Sequence, residues 1–105
     1  MAYFYEWETV DVTISLDREN ALVDVEKAVV SFGQIGNNVL SKSDDLELDT
    51  EANTITVHLN QDETGQLSEG ETSVQINLYY ATGERDTSDK AYLFVRDNLY
   101  KEELS

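Results

Sequence analysis

Cysteine and proline are absent from this chain, histidine occurs once, at His58, and only five glycines are spread over 105 residues. Without cysteine there is no disulfide, no thiol nucleophile and no thiolate metal site. A lone histidine cannot complete a zinc set, and with no nucleophile fixed beside it cannot form a triad. No serine sits in a Gly-x-Ser-x-Gly surround. Gly65 and Gly70 are wrongly spaced for a phosphate loop, and no lysine follows them. Basic side chains are scarce too: 7 Lys and Arg face 22 Asp and Glu, a formal net charge of −15. That balance leaves no electrostatic footprint for nucleic acid and sets the chain against anionic lipid. No apolar run approaches the ~18 residues of a spanning helix. The opening Met1-Ala2-Tyr3-Phe4-Tyr5-Glu6-Trp7-Glu8 has no basic stretch of a secretory signal. The expectation is a chain without signal peptide, cofactor, metal, catalytic residues, nucleic-acid partner or membrane partner.

What the sequence does have is a period of two, the repeat of strands with one buried face. Val10, Val12, Ile14 and Leu16 alternate with Thr9, Asp11, Thr13 and Ser15, before a polar turn at Asp17-Arg18-Glu19-Asn20. Lys27 to Ile35 is β-rich, with Ala28, Val30 and Phe32 as its inward set. Gly36-Asn37-Asn38 tolerates positive φ and predicts a hairpin returning through Val39-Leu40-Ser41. Leu46 and Leu48, then Ile55, Val57 and Leu59, predict a second hairpin over 45–59. Residues 60–67 break the pattern as a loop or single helical turn, with Leu67 tucked inward. Val74, Ile76, Leu78 and Tyr80 form the longest clean strand, Thr82-Gly83-Glu84-Arg85 a turn, and Ala91 to Val95 a final strand. Asp97 caps a short helical segment over 98–104. Short alternating strands without helical periods between them predict an all-β, immunoglobulin-like antiparallel sandwich of about seven strands. With no repeat or linker, residues 1–105 read as a single domain.

Acid is concentrated between Lys42 and Arg85, where no Lys or Arg occurs. Clustered carboxylates suit Ca²⁺. Here, however, Asp45, Glu47, Asp49 and Glu51 fall two apart, opposite Leu46 and Leu48, which lines them along a solvated strand face. Such a row also discourages edge-to-edge aggregation. With 22 acids, a pair at glycosidase spacing carries no information. His58 shares the polar register of Thr54 and Thr56 and reads as a rim residue. The aromatics say more. Tyr3, Tyr5 and Trp7 fall on one face of an N-terminal strand, with Phe4 on the other. Tyr79 points away from the buried register of Tyr80. Tyr and Trp bury much area with few rotors, which favours them at protein contacts. Tyr3, Tyr5, Trp7 and Tyr79 are therefore the candidate interaction surface. A packed edge strand and a sugar-binding platform are the other readings of the same rings.

Several segments carry a family likeness. Val23-Asp24-Val25-Glu26-Lys27-Ala28-Val29-Val30-Ser31-Phe32 resembles a stretch near the start of the N-terminal domains of baseplate upper proteins from phages of Gram-positive hosts. Asp24, Ala28, Val30 and Phe32 carry the match. Ile55 to Thr64 is similar to a strand and polar turn of related prophage proteins. Gly70 with Val74-Gln75-Ile76-Asn77-Leu78 is similar to the strand that follows, and Ala91 to Leu99 to their closing strand and tail. The resemblance implies a non-enzymatic structural protein of a phage or prophage tail or baseplate. Such a protein works by protein–protein assembly with tail components or its own copies, and is made in the bacterial cytoplasm as a virion component. A cell-surface adhesion or carbohydrate-binding sandwich is the alternative, and a Ca²⁺-stabilised acidic module a further one.

Overall fold

Wherever apolar and polar side chains alternate, the chain is extended. A computed structural model describes residues 2–101, which run β1 (Tyr3–Tyr5), β2 (Val10–Ser15), β3 (Val25–Gln34), β4 (Asn37–Lys42), β5 (Leu46–Asp49), β6 (Thr54–Leu59), α1 (Gln61–Gly65), β7 (Gly70–Tyr80), β8 (Arg85–Thr87) and β9 (Ala91–Arg96). One sheet has the order β1-β9-β7-β3-β4, with β8 also paired to β7; the second is β2-β6-β5. The two stack as an immunoglobulin-like sandwich. Every second residue of β7 from Thr72 to Tyr80 is buried, and Val30, Phe32, Ile76 and Val95 face Ile55 and Val57 with no exposed surface. Each such side chain contributes about 1.5–3 kcal/mol by leaving water. The edge strand β2 is only half covered, because Val10, Val12 and Ile14 pack against the core from one side.

Both predicted hairpins form. In the first, Gln34 pairs with Asn37, so the turn residues are Ile35 and Gly36, with φ of 53° and 75°. Two positive φ values are the geometry of a two-residue turn that matches strand twist. The turn therefore lies one residue earlier than the glycine and asparagines suggest, and Asn37 and Asn38 belong to β4. The second pairs Leu48 with Ile55 and closes at Asn53 (φ 58°). Asn53 then donates from Nδ2 to the carbonyls of Leu16 (2.9 Å) and Arg18 (2.7 Å) and accepts from the Ala21 amide (3.2 Å). That contact docks the 16–22 loop, whose Ala21 and Leu22 are buried, and the Tyr80 hydroxyl donates to the Ala21 carbonyl at 2.7 Å. Helix α1 is the expected single turn. Asn60 and Glu63 form a reciprocal capping box, and Leu67 beyond it is fully buried.

Four expectations change. The described residues hold nine strands: the expected N-terminal strand forms as the three-residue β1, and β8 is a further three-residue piece that alternation alone cannot separate from the turn before it. One pair, β1 with β9, is parallel, Tyr3 opposite Phe94. Trp7 does not continue the strand of Tyr3 and Tyr5: its φ is 66° and its ring turns back onto α1. No helix begins at Asp97, and residues 97–101 are irregular. There Asn98 Nδ2 donates to the Glu6 carbonyl (2.9 Å) and Lys101 lies 3.5 Å from Glu6 Oε1, holding the tail against the β1 turn, while Lys101 also bonds Asp97 at 2.5 Å. Residues 102–104 of that expected segment lie outside the described residues.

Candidate site: an aromatic and cationic sheet face

Strand pleat decides which side chains share the outer face of the six-stranded sheet. Leu93 and Val95 of β9 point into the core, so Tyr92, Phe94 and Arg96 point out. Phe4 of β1 points in, so Tyr3 and Tyr5 point out. Tyr3 sits opposite Phe94, which in turn sits opposite Glu71 of β7. The rings form one patch: Tyr3 is 56% exposed, Tyr92 53%, Tyr5 39% and Phe94 37%. Tyr3 and Tyr5 meet edge to face at 6.0 Å, and the Arg96 guanidinium lies 4.3 Å from the Tyr3 ring centroid. Ile35, 97% exposed, lies with Tyr92, Glu71 and Lys90 around a shallow depression beside the patch.

Of the four rings expected to act together, three share this face. Tyr79 lies at the far end of β7, half-buried beneath the Arg85 guanidinium at 5.3 Å. Trp7 is not on it. A Cβ at Gly65 would fall 2.6 Å from the Trp7 ring, so the indole covers the helix backbone and only glycine admits that approach. Tyr92 and Phe94 were missed by sequence reasoning, although the alternation Ala91-Tyr92-Leu93-Phe94-Val95-Arg96 carried the signal: if Leu93 and Val95 are buried, two aromatics face out.

Charge is sorted by face. Of the seven Lys and Arg residues, three are paired: Arg18 with Asp86 at 2.8 Å, Lys42 with Glu63 at 2.8 Å, and Lys101 with Asp97. The other four, Lys27, Arg85, Lys90 and Arg96, are exposed and have no carboxylate within ion-pair distance among the described residues. All four belong to the outer face of the large sheet. Lys27 pairs with Tyr79 in the ladder, and Arg85 donates from Nε and Nη2 to Asn77 Oδ1. Lys90, just before β9, lines a shallow depression together with Ser73 and Gln75. Glu71 is the acid at an outward position of the regular ladder, with Glu26 in the bulge at the other end of the sheet. In a chain with a threefold excess of acid these four cations have no carboxylate partner among the described residues; Arg85 and Arg96 lie instead over the Tyr79 and Tyr3 rings.

The outer face of the small sheet is the opposite. Asp11, Glu47 and Asp49 project from it beside Thr13, Thr56 and His58, without Lys or Arg. His58 Nδ1 lies 2.5 Å from Asp11 Oδ1, and its Nε2 is 3.5 Å from Glu47 Oε1. The Asp11 hydrogen bond, with the two carboxylate charges, raises the His58 pKa above its ordinary value. The acids have local duties: Asp49 accepts from the Glu51 and Ala52 amides, and Asp45 lies 3.6 Å from Lys42. No group of three or more metal-ligating side chains is assembled among the described residues.

A groove of about 370 Å³ opens between β2 and residues 86–91, floored by Ile14, Leu16, Ala21 and Leu78 and spanned by the Arg18–Asp86 pair. Its Ser88 hydroxyl accepts from the Ile76 amide and donates to the Asp89 carbonyl. No histidine is among its lining residues; His58, on β6 beside β2, faces outward with Asp11 and Glu47. No helix among the described residues is long and apolar enough to cross a membrane.

No protein-family profile matches the chain, and no curated protein matches it in sequence. Among solved structures it is similar to CopC from Methylosinus trichosporium OB3b, with a TM-score of 0.51, 18% identity, and 95% of this chain and 91% of that one covered. The V domain of amphioxus IgVJ-C2 overlaps with a TM-score of 0.33 at 12% identity, covering 90% of this chain and 98% of that one. Extracellular domains 3–5 of Drosophila OTK give 0.40 at 12%, covering 95% and 34%. The CopC likeness, at 18% identity, speaks to fold alone, and it agrees with the strand order of an immunoglobulin-like β-sandwich.

Proposed function

We propose that this chain is a non-enzymatic assembly module whose working surface is the outer face of the six-stranded sheet, and that its setting is a phage or prophage tail or baseplate. The carrying observation is the gathering of Tyr3, Tyr5, Tyr92 and Phe94 with four unpaired cations on one face. Exposed rings and arginines are the residues that dominate binding energy at protein contacts. A strand-built face presents them with little conformational freedom to lose on binding. The likeness of residues 23–32, 55–64 and 70–78 to baseplate-type domains supplies the setting. In that setting the protein is made in the bacterial cytoplasm and incorporated into the virion. Sugar binding is disfavoured by Arg96, which already occupies a face of the Tyr3 ring.

Co-expression with the products of the genes on either side tests this reading. A tail or baseplate protein should co-purify with the wild type in fixed stoichiometry, and Phe94→Asp should abolish the complex while leaving circular dichroism unchanged. Neighbours unrelated to a tail, or a complex indifferent to Phe94→Asp and Tyr92→Asp, would overturn it.

A further inference from the structure

Resting on that reading of the outer face, we infer that its occupant is a second copy of this chain: the aromatic, cationic face of one copy docks head to tail on the acidic face of the next. The two faces lie on opposite sides of the sandwich and carry opposite charge. One presents Lys27, Arg85, Lys90 and Arg96; the other presents Asp11, Glu47 and Asp49 around His58, with no Lys or Arg among the described residues. A two-fold pairing of the cationic face with itself would instead bring like charges together, with only Glu71 and Glu26 among its outward ladder positions to offset the four cations. Potentials that complement each other orient encounter and fix register. Size is sufficient as well. The molecule measures 45 × 29 × 22 Å, its thin direction fitting two stacked sheets, so the broad face exceeds the ~800 Å² per partner of a standard interface. Net charge opposes this association at long range. At ~0.15 M salt, however, charges more than ~8 Å apart are screened, whereas touching faces are not. A head-to-tail contact between unlike faces repeats, and closes into a ring or grows as a filament according to its rotation.

Two charge-reversed variants test the inference by sedimentation velocity in 0.15 M salt. The first, Lys27→Glu with Arg96→Glu, removes the cationic face; the second, Glu47→Lys with Asp49→Lys, removes the acidic one. All four positions are exposed, and circular dichroism confirms folding. The wild type is expected to associate with rising concentration beyond a dimer. Each variant alone should associate at least ~10-fold more weakly, and an equimolar mixture should recover association. The second variant is the decisive one. Exchanging two acids for lysines moves its net charge from −15 to −11, so general repulsion falls while association should be lost. If that variant associates as well as the wild type, the cationic face meets something other than the acidic face and the inference fails. A wild type that stays monomeric to its solubility limit also refutes it. A Phe94-dependent complex with a foreign protein would in that case leave the proposed function standing.

Discussion

Lys42 offers a direct test of how β4, at the edge of the large sheet, is tied to the small sheet and to α1. Its side chain is 3% exposed, and Nζ donates to the His58 carbonyl at 2.7 Å and to Glu63 Oε1 at 2.8 Å. Glu63 also accepts from the Asn60 amide at 3.0 Å as part of the capping box. Lys42→Met keeps the length of the side chain and removes the cation. A buried carbonyl and a carboxylate then lose their donor. Breaking a buried pair costs about 3–5 kcal/mol. Here Glu63 is 17% exposed and keeps its Asn60 bond, so water recovers part of that. The expected loss is about 2–3 kcal/mol, or roughly 10–20 °C in Tm for a domain of this size. Urea melts of the wild type, Lys42→Met, Glu63→Gln and the double variant give the coupling directly, expected at about 1 kcal/mol or more. A loss under about 0.5 kcal/mol with no coupling would mean that the ammonium is solvated and that the strand–helix tie is made by apolar contacts alone.

Three further outcomes follow from local geometry. Gly65→Ala forces a methyl into the Trp7 ring, 2.6 Å from Cε2, and should cost about 1–3 kcal/mol in a thermal melt. Ile35→Asn relieves a β-branched residue held at φ 53° in a fully solvated turn, and should stabilise by about 1 kcal/mol in the same melt. His58 should titrate above 6.5 when its ring protons are followed by NMR, and Asp11→Asn should move it back towards that value. Because the folded-state pKa is raised, protonation favours the fold. Its contribution is complete below the unfolded value near 6.5 and fades as pH rises through the folded one.

Local chemistry was readable from the chain where neighbours in sequence are also neighbours in space. The hairpin over 45–59 and the single helical turn before Leu67 depend on contacts within about twenty residues. The inward set Ala28, Val30 and Phe32 shows in the alternation of β3 itself, although its β7 partners lie more than forty positions away. Trp7 escaped because its direction is set by Gly65, a partner fifty-eight positions away whose missing side chain leaves no mark on the alternation. The working face escaped for a related reason. Lys27 reaches Tyr79 through the β3–β7 ladder, and Phe94 reaches Tyr3 through a parallel pair joining opposite ends of the chain. Composition reports the excess of acid; only strand order reveals that four of the seven basic residues share one sheet face. The tail after Arg96 reads as helical by cap and composition, yet Asn98 and Lys101 spend their polar groups on Glu6 and Asp97 instead.

Hydroxyl-radical footprinting of the assembled and dispersed protein addresses the working face most directly, since tyrosine and phenylalanine label readily when solvent reaches them. Tyr3, Tyr5, Tyr92 and Phe94 should lose most of their labelling on assembly, while Leu99, at 98% exposure, keeps its own. Equal labelling of the four rings in both states would contradict the account.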